Sequence, residues 1–259
     1  IDAFAFNKNV KIDLGVLGNC KDTLKAVTAL IDETKHSSWS NGFEPYKEKE
    51  YNKVISKALY PTEGPLLMGE VVNKVTEASG NEAILVTDVG QNQLFACRYF
   101  KFTKPRSIVT SGGMGTMGFA LPAAIGATFG APERTVCMFC GDGGLQMTMQ
   151  ELGTIMEQQC PVKMILLNNN YLGNVRQWQE MFFNRRYSFT PMANPDYELI
   201  AKGYGIPART VVDRAELDDA IREMLSTPGP YLLQCAIKEE DNVLPMTPPG
   251  ADVDKMLLE

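Results

Sequence analysis

The sequence predicts an α/β fold in which a mostly parallel β-sheet is flanked by helices. Two observations support this prediction. Short apolar runs with strand character alternate with segments of helical apolar spacing from residue 67 to residue 237. The composition is that of a globular protein, because 44% of the 259 residues are hydrophobic and 22% are charged. We therefore expect a sizeable buried core.

The patterns predict the elements in chain order. Residues 1–35 are expected to hold a strand and then a helix from about Lys21 to Thr34, and the polar stretch 36–42 has the composition of a linker. A larger unit begins between Tyr51 and Pro65. Its predicted elements are a helix at 67–79, a strand at 83–87, a buried helix at 118–130, a strand at 134–140, a helix at 147–158, a strand at 162–167, helices at 196–203 and 215–225, and a strand at 231–237.

These assignments follow from local residue patterns. Residues 67–79 repeat apolar side chains three and four positions apart, which is the spacing of one helix face. Residues 118–130 are rich in Gly and Ala, which indicates a closely packed, buried helix. Residues 162–167 form an almost unbroken apolar run, which favours a strand.

Charge and targeting patterns exclude several function classes. The formal net charge is −6, so we expect no nucleic acid partner and no membrane surface, since both require a basic face. No apolar run reaches the roughly 18 residues of a membrane span. The start, IDAFAFNKNV, lacks a signal-peptide pattern, and we therefore predict a cytoplasmic protein. Because the chain also lacks an initiator Met, we expect it to be a fragment.

The six cysteines do not predict a disulfide scaffold or a metal site. They are spread along the chain and mostly lie in apolar runs, which is typical of reduced, buried thiols. Cys137 and Cys140 have a Cys-x-x-Cys spacing, but no second pair follows and His36, the single His, is distant in sequence. A structural zinc ion needs four ligands, so we expect neither zinc nor redox chemistry here.

A carboxylate and an asparagine run follow two neighbouring predicted strands. Residues 141–144 read Gly-Asp-Gly-Gly, and residues 168–170 read Asn-Asn-Asn. The carboxyl ends of parallel strands share one sheet edge, where ligands bind, so the fold would bring Asp142 and Asn169 together. Carboxylate, amide and carbonyl oxygens suit Mg²⁺, which takes further ligands from phosphates. The glycines, and a helix expected to start near Leu145, would accommodate the anion, so the pattern predicts a magnesium-bound diphosphate.

Each half of this pattern also has a simpler explanation. A single Gly-Asp-Gly is common in turns, and an Asn run can end a strand. With 27 positions between Asp142 and Asn169, the two halves together match the fingerprint of thiamine diphosphate (TPP) enzymes. They do not match the Rossmann or the P-loop fingerprint, although a magnesium–nucleotide domain stays open as an alternative.

Beyond this fingerprint, the chain resembles the catalytic subunits of acetolactate synthases, also called acetohydroxyacid synthases, along nearly its whole length. The resemblance rests on Val89–Gln93, Ser111–Gly118 continued by Leu121–Ala127, Gly141–Gly144, Asn168–Trp178 and the tail Val243–Pro248. The Gly-Asp-Gly stretch indicates only a TPP enzyme, whereas the second and fourth stretches are typical of this family.

The resemblance implies a cofactor site. Asp142, Asn169 and the backbone carbonyl of Tyr171 would hold Mg²⁺. The diphosphate would be contacted by Gln91, Asn92, Gly143, Gly144, Leu172 and Gly173. The thiamine rings would be contacted by Met117, which wedges under the bent cofactor, and by backbone groups of Gly115. Trp178 would line the substrate channel and favour a larger second 2-ketoacid. Without the resemblance, we would interpret Met117 as a side chain that fills the core. We would likewise interpret Trp178 as a packed residue of an amphipathic helix.

Some positions depart from the family pattern. Asn92 stands where a His is usual, so an amide replaces an imidazole as the donor. Gly144 replaces a common Ser or Ala, which removes a hydroxyl contact, and Asn174 replaces a Met beside the pocket. At the edge of the family's FAD site lie Asp2 and Asn19, and Asn19 stands where an Asp is usual.

The resemblance also implies a domain organisation. The family has three domains, of which this chain would hold the end of the central domain (1–36), a linker (37–60) and the diphosphate-binding domain (61–259). The catalytic Glu would lie in the missing N-terminal domain and act across a dimer interface. We therefore expect no catalytic residue in this chain and only part of the FAD site.

The implied function is the TPP- and Mg²⁺-dependent condensation of pyruvate with a second 2-ketoacid, pyruvate or 2-oxobutanoate, with loss of CO₂. This reaction belongs to branched-chain amino-acid biosynthesis. The expected partners are 2-ketoacid substrates, further copies in a homodimer or homotetramer, and a small regulatory subunit. Residues 118–127 and 171–183 are candidate interface stretches. Two alternatives stay open: another TPP-dependent decarboxylase, oxidase or carboligase, or a non-catalytic domain that binds the cofactor and dimerises.

Overall fold

The first of two compact units contains only short helices. The computed structural model describes residues 2–259, and it divides at Lys47 and Glu48. The first unit has a 3₁₀ turn at Ala3–Ala5 and helices α1 (Cys20–Thr28) and α2 (Ser37–Asn41). Described residues 2–35 form no strand, so the strand predicted there is wrong. The apolar side chains of this stretch are mostly exposed.

The second unit carries the predicted series of helices and strands. Helix α3 (Glu44–Glu50) contains the division between the two units. The helices of the second unit are α4 (Ser56–Leu59), α5 (Met68–Ala78), α6 (Gln91–Tyr99), α7 (Ala120–Gly130), α8 (Asp142–Thr148), α9 (Leu152–Gln158), α10 (Gly173–Phe182), α11 (Tyr197–Gly203) and α12 (Leu217–Ser226). The strands are β1 (Ile84–Thr87), β2 (Ile108–Thr110), β3 (Val136–Gly141), β4 (Val162–Asn168), β5 (Ala208–Val211) and β6 (Tyr231–Ala236). A π-helical turn at Tyr51–Ile55 and 3₁₀ turns at Met149–Glu151 and Arg214–Glu216 complete the regular structure.

The six strands form one parallel sheet in the order β2-β1-β3-β4-β6-β5. The chain moves outward from β1 to β2 and then returns to the other side of β1 to form β3. The strand order therefore reverses between β1 and β3, and such a reversal opens a crevice at the carboxyl edge of the sheet. The predicted α/β class with a parallel sheet and flanking helices is confirmed.

The core lies in two layers, one on each face of the sheet. Alternate residues of each strand point to opposite faces, so Phe139 of β3 packs in one layer and Met138 in the other. Helices α5, α6 and α12 cover the first face, and helices α7, α9 and α11 cover the second. Because β3 and β4 are buried on both faces, their near-continuous apolar runs are the sequence feature that identified them.

Some element boundaries differ from the prediction, and each difference has a local cause. The helix predicted at 147–158 begins earlier, at Asp142. Gly141 is both the last residue of β3 and the N-cap of α8, so no loop separates the strand from the helix. It is then interrupted at Thr148, whose φ of −136° is not helical. Strands β2 and β5 were not predicted, since they are edge strands of three and four residues with partly exposed side chains. Helix α1 ends at Thr28, before the polar residues 32–35.

Within residues 2–259, no helix is long and apolar enough to cross a membrane. All six cysteines are free, and four of them are buried: Cys137, Cys140, Cys160 and Cys235. Cys137 and Cys140 lie in β3, and burial raises the pKa of the Cys137 thiol to about 12. Both thiols therefore stay protonated near neutral pH and serve as apolar core atoms.

Candidate cofactor site

A cleft lies at the carboxyl edge of the sheet, where the segments after β1, β3 and β4 meet. It is lined by Met68, Val89–Asn92, Met117, Gly141–Gly144, Leu167, Asn169 and Tyr171–Val175. This is the position that the reversal of strand order between β1 and β3 predicts for a ligand.

Asp142 supplies a buried negative charge to the cleft. Its side chain is 1% exposed, its Oδ1 accepts a hydrogen bond from the backbone N–H of Gly143 at 3.0 Å, and its Oδ2 accepts one from Asn194 Nδ2 at 2.7 Å. Burial raises the pKa of the Asp142 carboxyl, although the hydrogen bond from Asn194 acts in the opposite direction. In the described part of the chain, no lysine, arginine or histidine nitrogen lies within 4 Å of this carboxylate. A bound cation would supply the positive charge that balances this carboxylate.

The amide of Asn194 links this carboxylate to the asparagines at the end of β4. Asn194 Nδ2 lies 2.7 Å from Asp142 Oδ2, 3.0 Å from Asn168 Oδ1 and 3.1 Å from Asn170 Oδ1. An amide has two protons, so it cannot satisfy all three acceptors at once. Asn169 is 2% exposed, and its Oδ1 accepts the backbone N–H of Tyr171 at 3.3 Å. This surplus of hard oxygen acceptors has the chemistry that a magnesium ion prefers. The predicted set of Asp142, Asn169 and the Tyr171 carbonyl stays a prediction.

At three glycines of the cleft, a neighbouring side chain lies against the backbone where a Cβ would otherwise be. A Cβ at Gly143 would lie 2.9 Å from Leu172 Cδ2, and one at Gly144 would lie 2.6 Å from Asp88 Oδ1. A Cβ at Gly173 would overlap Gln91 Oε1 and lie 2.8 Å from Asn169 Nδ2. Glycine at these positions therefore permits the Leu172, Asp88 and Gln91 side chains to pack directly against the backbone of the cleft wall.

Gln91, the first residue of α6, is held by the C-terminal segment. Its Nε2 donates to Gln177 Oε1 at 2.9 Å and to the backbone carbonyl of Asp241 at 2.6 Å. Gln177 also accepts the backbone N–H of Val243 at 2.9 Å. The neighbouring Arg176 is fully buried and donates to Glu180 Oε2 and to the same Asp241 carbonyl. Helix α10 and residues 241–243 together fix the orientation of Gln91.

Asn92 is 4% exposed and donates from Nδ2 to the carbonyl of Val89 at 3.3 Å. Its Oδ1 is buried and lacks a hydrogen-bond partner. A buried amide oxygen without a partner is costly, so this atom marks a place where the cleft fits a further donor, such as a metal-bound water.

The segment between β2 and α7 contributes Met117 to the cleft wall. The next residue, Gly118, has a φ of +87° and donates its N–H to both carboxylate oxygens of Asp88, at 3.0 and 3.1 Å. The predicted partner Gly115 has a φ of +62° and lies on the same turn, but it is exposed and does not line the cleft.

Trp178 lies on α10 outside this cleft. Its side chain is 40% exposed, and its ring packs edge-on against Phe182 with the ring centres 5.3 Å apart. It lines a neighbouring surface groove with Val175, Gln179, Phe183 and Arg186. Val175 lines both the groove and the cleft, so the two adjoin at that residue.

The structure thus brings ten of the eleven predicted cofactor residues into one cleft and leaves Gly115 beside it. Sequence reasoning missed Asp88, Asn194 and Gln177, which orient the predicted residues. Asp88 directly follows β1 and could have been suspected for that reason. Asn194 and Gln177 reach the site through tertiary contacts, and no local pattern marked them.

Known proteins resemble this chain in both sequence and fold. A family model described as thiamine pyrophosphate enzyme, C-terminal TPP binding domain, matches residues 88–235. The chain is 42% identical to the acetolactate synthase isozyme 2 large subunit of Escherichia coli (strain K12) over 194 residues. These aligned residues make up 74% of this chain and 35% of that protein. It is 36% identical over 272 residues to the chloroplastic acetolactate synthase 2 of Nicotiana tabacum, covering 100% of this chain and 40% of that one.

A third relative is the acetolactate synthase large subunit of Lactococcus lactis, 36% identical over 99% of this chain and 44% of that protein. Among solved structures, the benzoylformate decarboxylase of Polynucleobacter necessarius matches with a TM-score of 0.65 and 26% identity, over 71% of this chain and 35% of that one. The chain thus spans less than half the length of each of these relatives. Because the family model matches more than half of its residues, the chain belongs to the thiamine pyrophosphate enzymes and carries their C-terminal TPP-binding domain.

Proposed function

We propose that this chain is the TPP-binding part of an acetolactate synthase catalytic subunit. In that enzyme, pyruvate condenses with a second 2-ketoacid, pyruvate or 2-oxobutanoate, and CO₂ is lost. The similarity to three acetolactate synthases supports this proposal. The observation that carries it is the buried, uncompensated carboxylate of Asp142 beside the asparagines that follow β4.

In this proposal Asp142, Asn169 and the carbonyl of Tyr171 hold Mg²⁺. Gly143 and Gly173 would contact the diphosphate through their backbone groups, since neither carries a side chain. The remaining predicted diphosphate contacts are Gln91, Asn92, Gly144 and Leu172. Bound TPP supplies the electron sink that allows a 2-ketoacid to lose CO₂ and join a second one. The protein's contribution is to fix the diphosphate and to exclude water from the buried side of the cleft.

Met117 and Gly115 would support the thiamine rings, and Trp178 would contact the second 2-ketoacid. The groove that Trp178 lines adjoins the cleft at Val175, which is consistent with a substrate path along α10. Asp142 and Tyr171 are the titratable side chains among the cleft-lining residues. Since Asp142 is assigned to the metal, we expect the proton-transferring Glu to come from an upstream domain.

The decisive experiment measures products from pyruvate with the longest polypeptide that the gene encodes, in the presence of TPP and Mg²⁺. We expect acetolactate. Acetate or an aldehyde as sole product would instead identify a related decarboxylase or oxidase. TPP binding without turnover would favour a non-catalytic binding domain. Titration with TPP and with ATP, each with Mg²⁺, separates the proposal from a magnesium–nucleotide domain, which would bind only ATP.

The assembly, further cofactors and cellular location are part of this proposal. We propose a homodimer or homotetramer with a small regulatory subunit, in the pathway to branched-chain amino acids. FAD would bind the complete enzyme. Asp2 and Asn19, at the edge of its expected site, here cap the 3₁₀ turn and α1. The cytoplasmic location stays a prediction, since the Nicotiana relative is chloroplastic by name. The division into 1–36, 37–60 and 61–259 stays a prediction as well.

A further inference from the structure

We propose that Asp88 is a positioning residue that fixes the Met117 turn against the cleft, and that Gly144 is required because it leaves space for the Asp88 carboxylate. This inference deepens the proposed function and rests on it, since the cleft must hold TPP for the turn to matter. It concerns two residues in direct contact, of which Gly144 lines the cleft and Asp88 lies behind it.

The Asp88 carboxylate is saturated with backbone donors. Asp88 is 1% exposed and directly follows β1. Its Oδ1 accepts the N–H of Val89 at 2.7 Å and that of Gly118 at 3.0 Å, and its Oδ2 accepts those of Gly118 at 3.1 Å and Ala120 at 3.2 Å. In residues 2–259, no lysine, arginine or histidine nitrogen lies within 4 Å of it. Three N–H groups therefore take the place of a counter-ion, as in charge-assisted capping.

The turn that carries Met117 is held from two sides. Asp88 holds the N–H of Gly118, and Thr148 Oγ1 donates to the carbonyl of the same residue at 2.9 Å. A Cβ at Gly118 would lie 3.0 Å from Met147 Cβ, and its φ of +87° is unfavourable for other residues. Met117, which directly precedes Gly118, thus enters the cleft wall from a turn with little freedom.

Gly144 connects this turn to the diphosphate side. A Cβ at position 144 would lie 2.6 Å from Asp88 Oδ1 and 2.7 Å from Asp88 Cγ. Any larger residue there must push the carboxylate away from the N–H groups of Gly118 and Ala120. The glycine in place of the family's common Ser or Ala therefore permits this carboxylate position, and a change at 144 is expected to reach Met117 through Asp88.

The test uses Asp88→Asn, which keeps the shape but replaces one acceptor oxygen by a donor, and Gly144→Ala. Gly153→Ala on α9 is the matched control, since its Cβ would meet only Tyr204 Cε1 at an ordinary 3.7 Å. We would measure amide hydrogen exchange at Gly118 and Ala120, and TPP affinity with Mg²⁺ by calorimetry. In the longest encoded polypeptide, kcat at saturating TPP would be measured separately from the KM for TPP.

We expect both variants to have faster hydrogen exchange at the Gly118 and Ala120 amides. TPP binding should weaken about tenfold, as the loss of one charge-assisted hydrogen bond implies. The kcat at saturating TPP should also fall. The control should resemble the wild type. In an Asp88→Ala background, Gly144→Ala should add little, because the clashing carboxylate is gone; if Asp88→Ala does not fold, Asp88→Asn and Gly144→Ala still decide.

Wild-type TPP affinity and kcat in Asp88→Asn would overturn the inference, with or without faster amide exchange. Failure of the wild-type protein to bind TPP would instead count against the proposed function.

Discussion

Gly173→Ala tests whether the close approach of α10 to Gln91 and Asn169 shapes the cleft. Position 173 is the first residue of α10, where propensity alone would make Ala more favourable than Gly by up to about 1 kcal/mol. A Cβ there would overlap Gln91 Oε1 and lie 2.8 Å from Asn169 Nδ2, and both side chains are 2% exposed. Gln91 is also held by hydrogen bonds to Gln177 and to the Asp241 carbonyl, so we expect the cost of displacing it to exceed the gain in helix propensity.

The magnitude follows from what must move. Relief of the overlap requires a shift of roughly 1 Å or more, and overpacking of this kind typically costs about 1–3 kcal/mol. Displacement of Gln91 also threatens its hydrogen bonds to Gln177 and to the Asp241 carbonyl, each worth about 1 kcal/mol net. We therefore expect a loss of about 1–4 kcal/mol in the free energy of unfolding, together with weaker TPP binding.

Urea denaturation and calorimetric titration with TPP and Mg²⁺ measure these two effects. Gly126→Ala is the control, because this glycine lies in α7 and its Cβ would meet nothing within 4 Å. That variant should be stabilised by about 0.5–1 kcal/mol with unchanged TPP affinity. If Gly173→Ala were as stable as Gly126→Ala and bound TPP with wild-type affinity, the close packing inferred around Gln91 would be wrong.

Three further predictions concern buried polar groups. Asp142→Asn should abolish Mg²⁺-dependent TPP binding in calorimetry without lowering the metal-free melting temperature, because burial disfavours the carboxylate that the change removes; retained binding would refute its role as a ligand. Arg176→Met should lower the free energy of unfolding by about 1–3 kcal/mol in urea, since it leaves the Asp241 carbonyl and Asn242 Oδ1 without this buried donor while Arg185 still pairs with Glu180; an unchanged free energy of unfolding would contradict this. Burial raises the pKa of Asp241 to about 6, so the folded state binds this proton more tightly than the unfolded chain, and the resulting stability should fall as the pH rises from about 4 to 6. Asp241→Asn should flatten the melting temperature over that window, and an unaltered pH profile would count against the shift.

The part of this fold that sequence predicts best is the part buried on both faces. The apolar runs of β3 and β4 fixed two adjacent parallel strands, and with them the shared edge where Asp142 and Asn169 lie. The edge strand β2 escaped prediction because its three residues are partly exposed and form no pattern of their own.

The orienting residues of the site were beyond sequence reasoning for a different reason. Asn194 reaches Asp142 from 52 positions away and Asp241 reaches Gln91 from 150 positions away. Such contacts depend on how helices pack after the sheet has formed. The sequence predicted which polar residues lie at the ends of strands. The hydrogen bonds that orient these residues became visible only in the tertiary structure.

The anchoring of Gln91 by residues 241–243 has a consequence for how the chain can be altered. The polypeptide after β6 contributes no strand, and by position alone it would be the natural place to trim the protein or to fuse a partner. Yet its main-chain atoms orient a side chain at the cofactor cleft. A protein shortened before Asp241 would keep its sheet and lose part of its binding pocket. The path of the main chain at residues 241–243, more than its side chains, is what the cleft depends on.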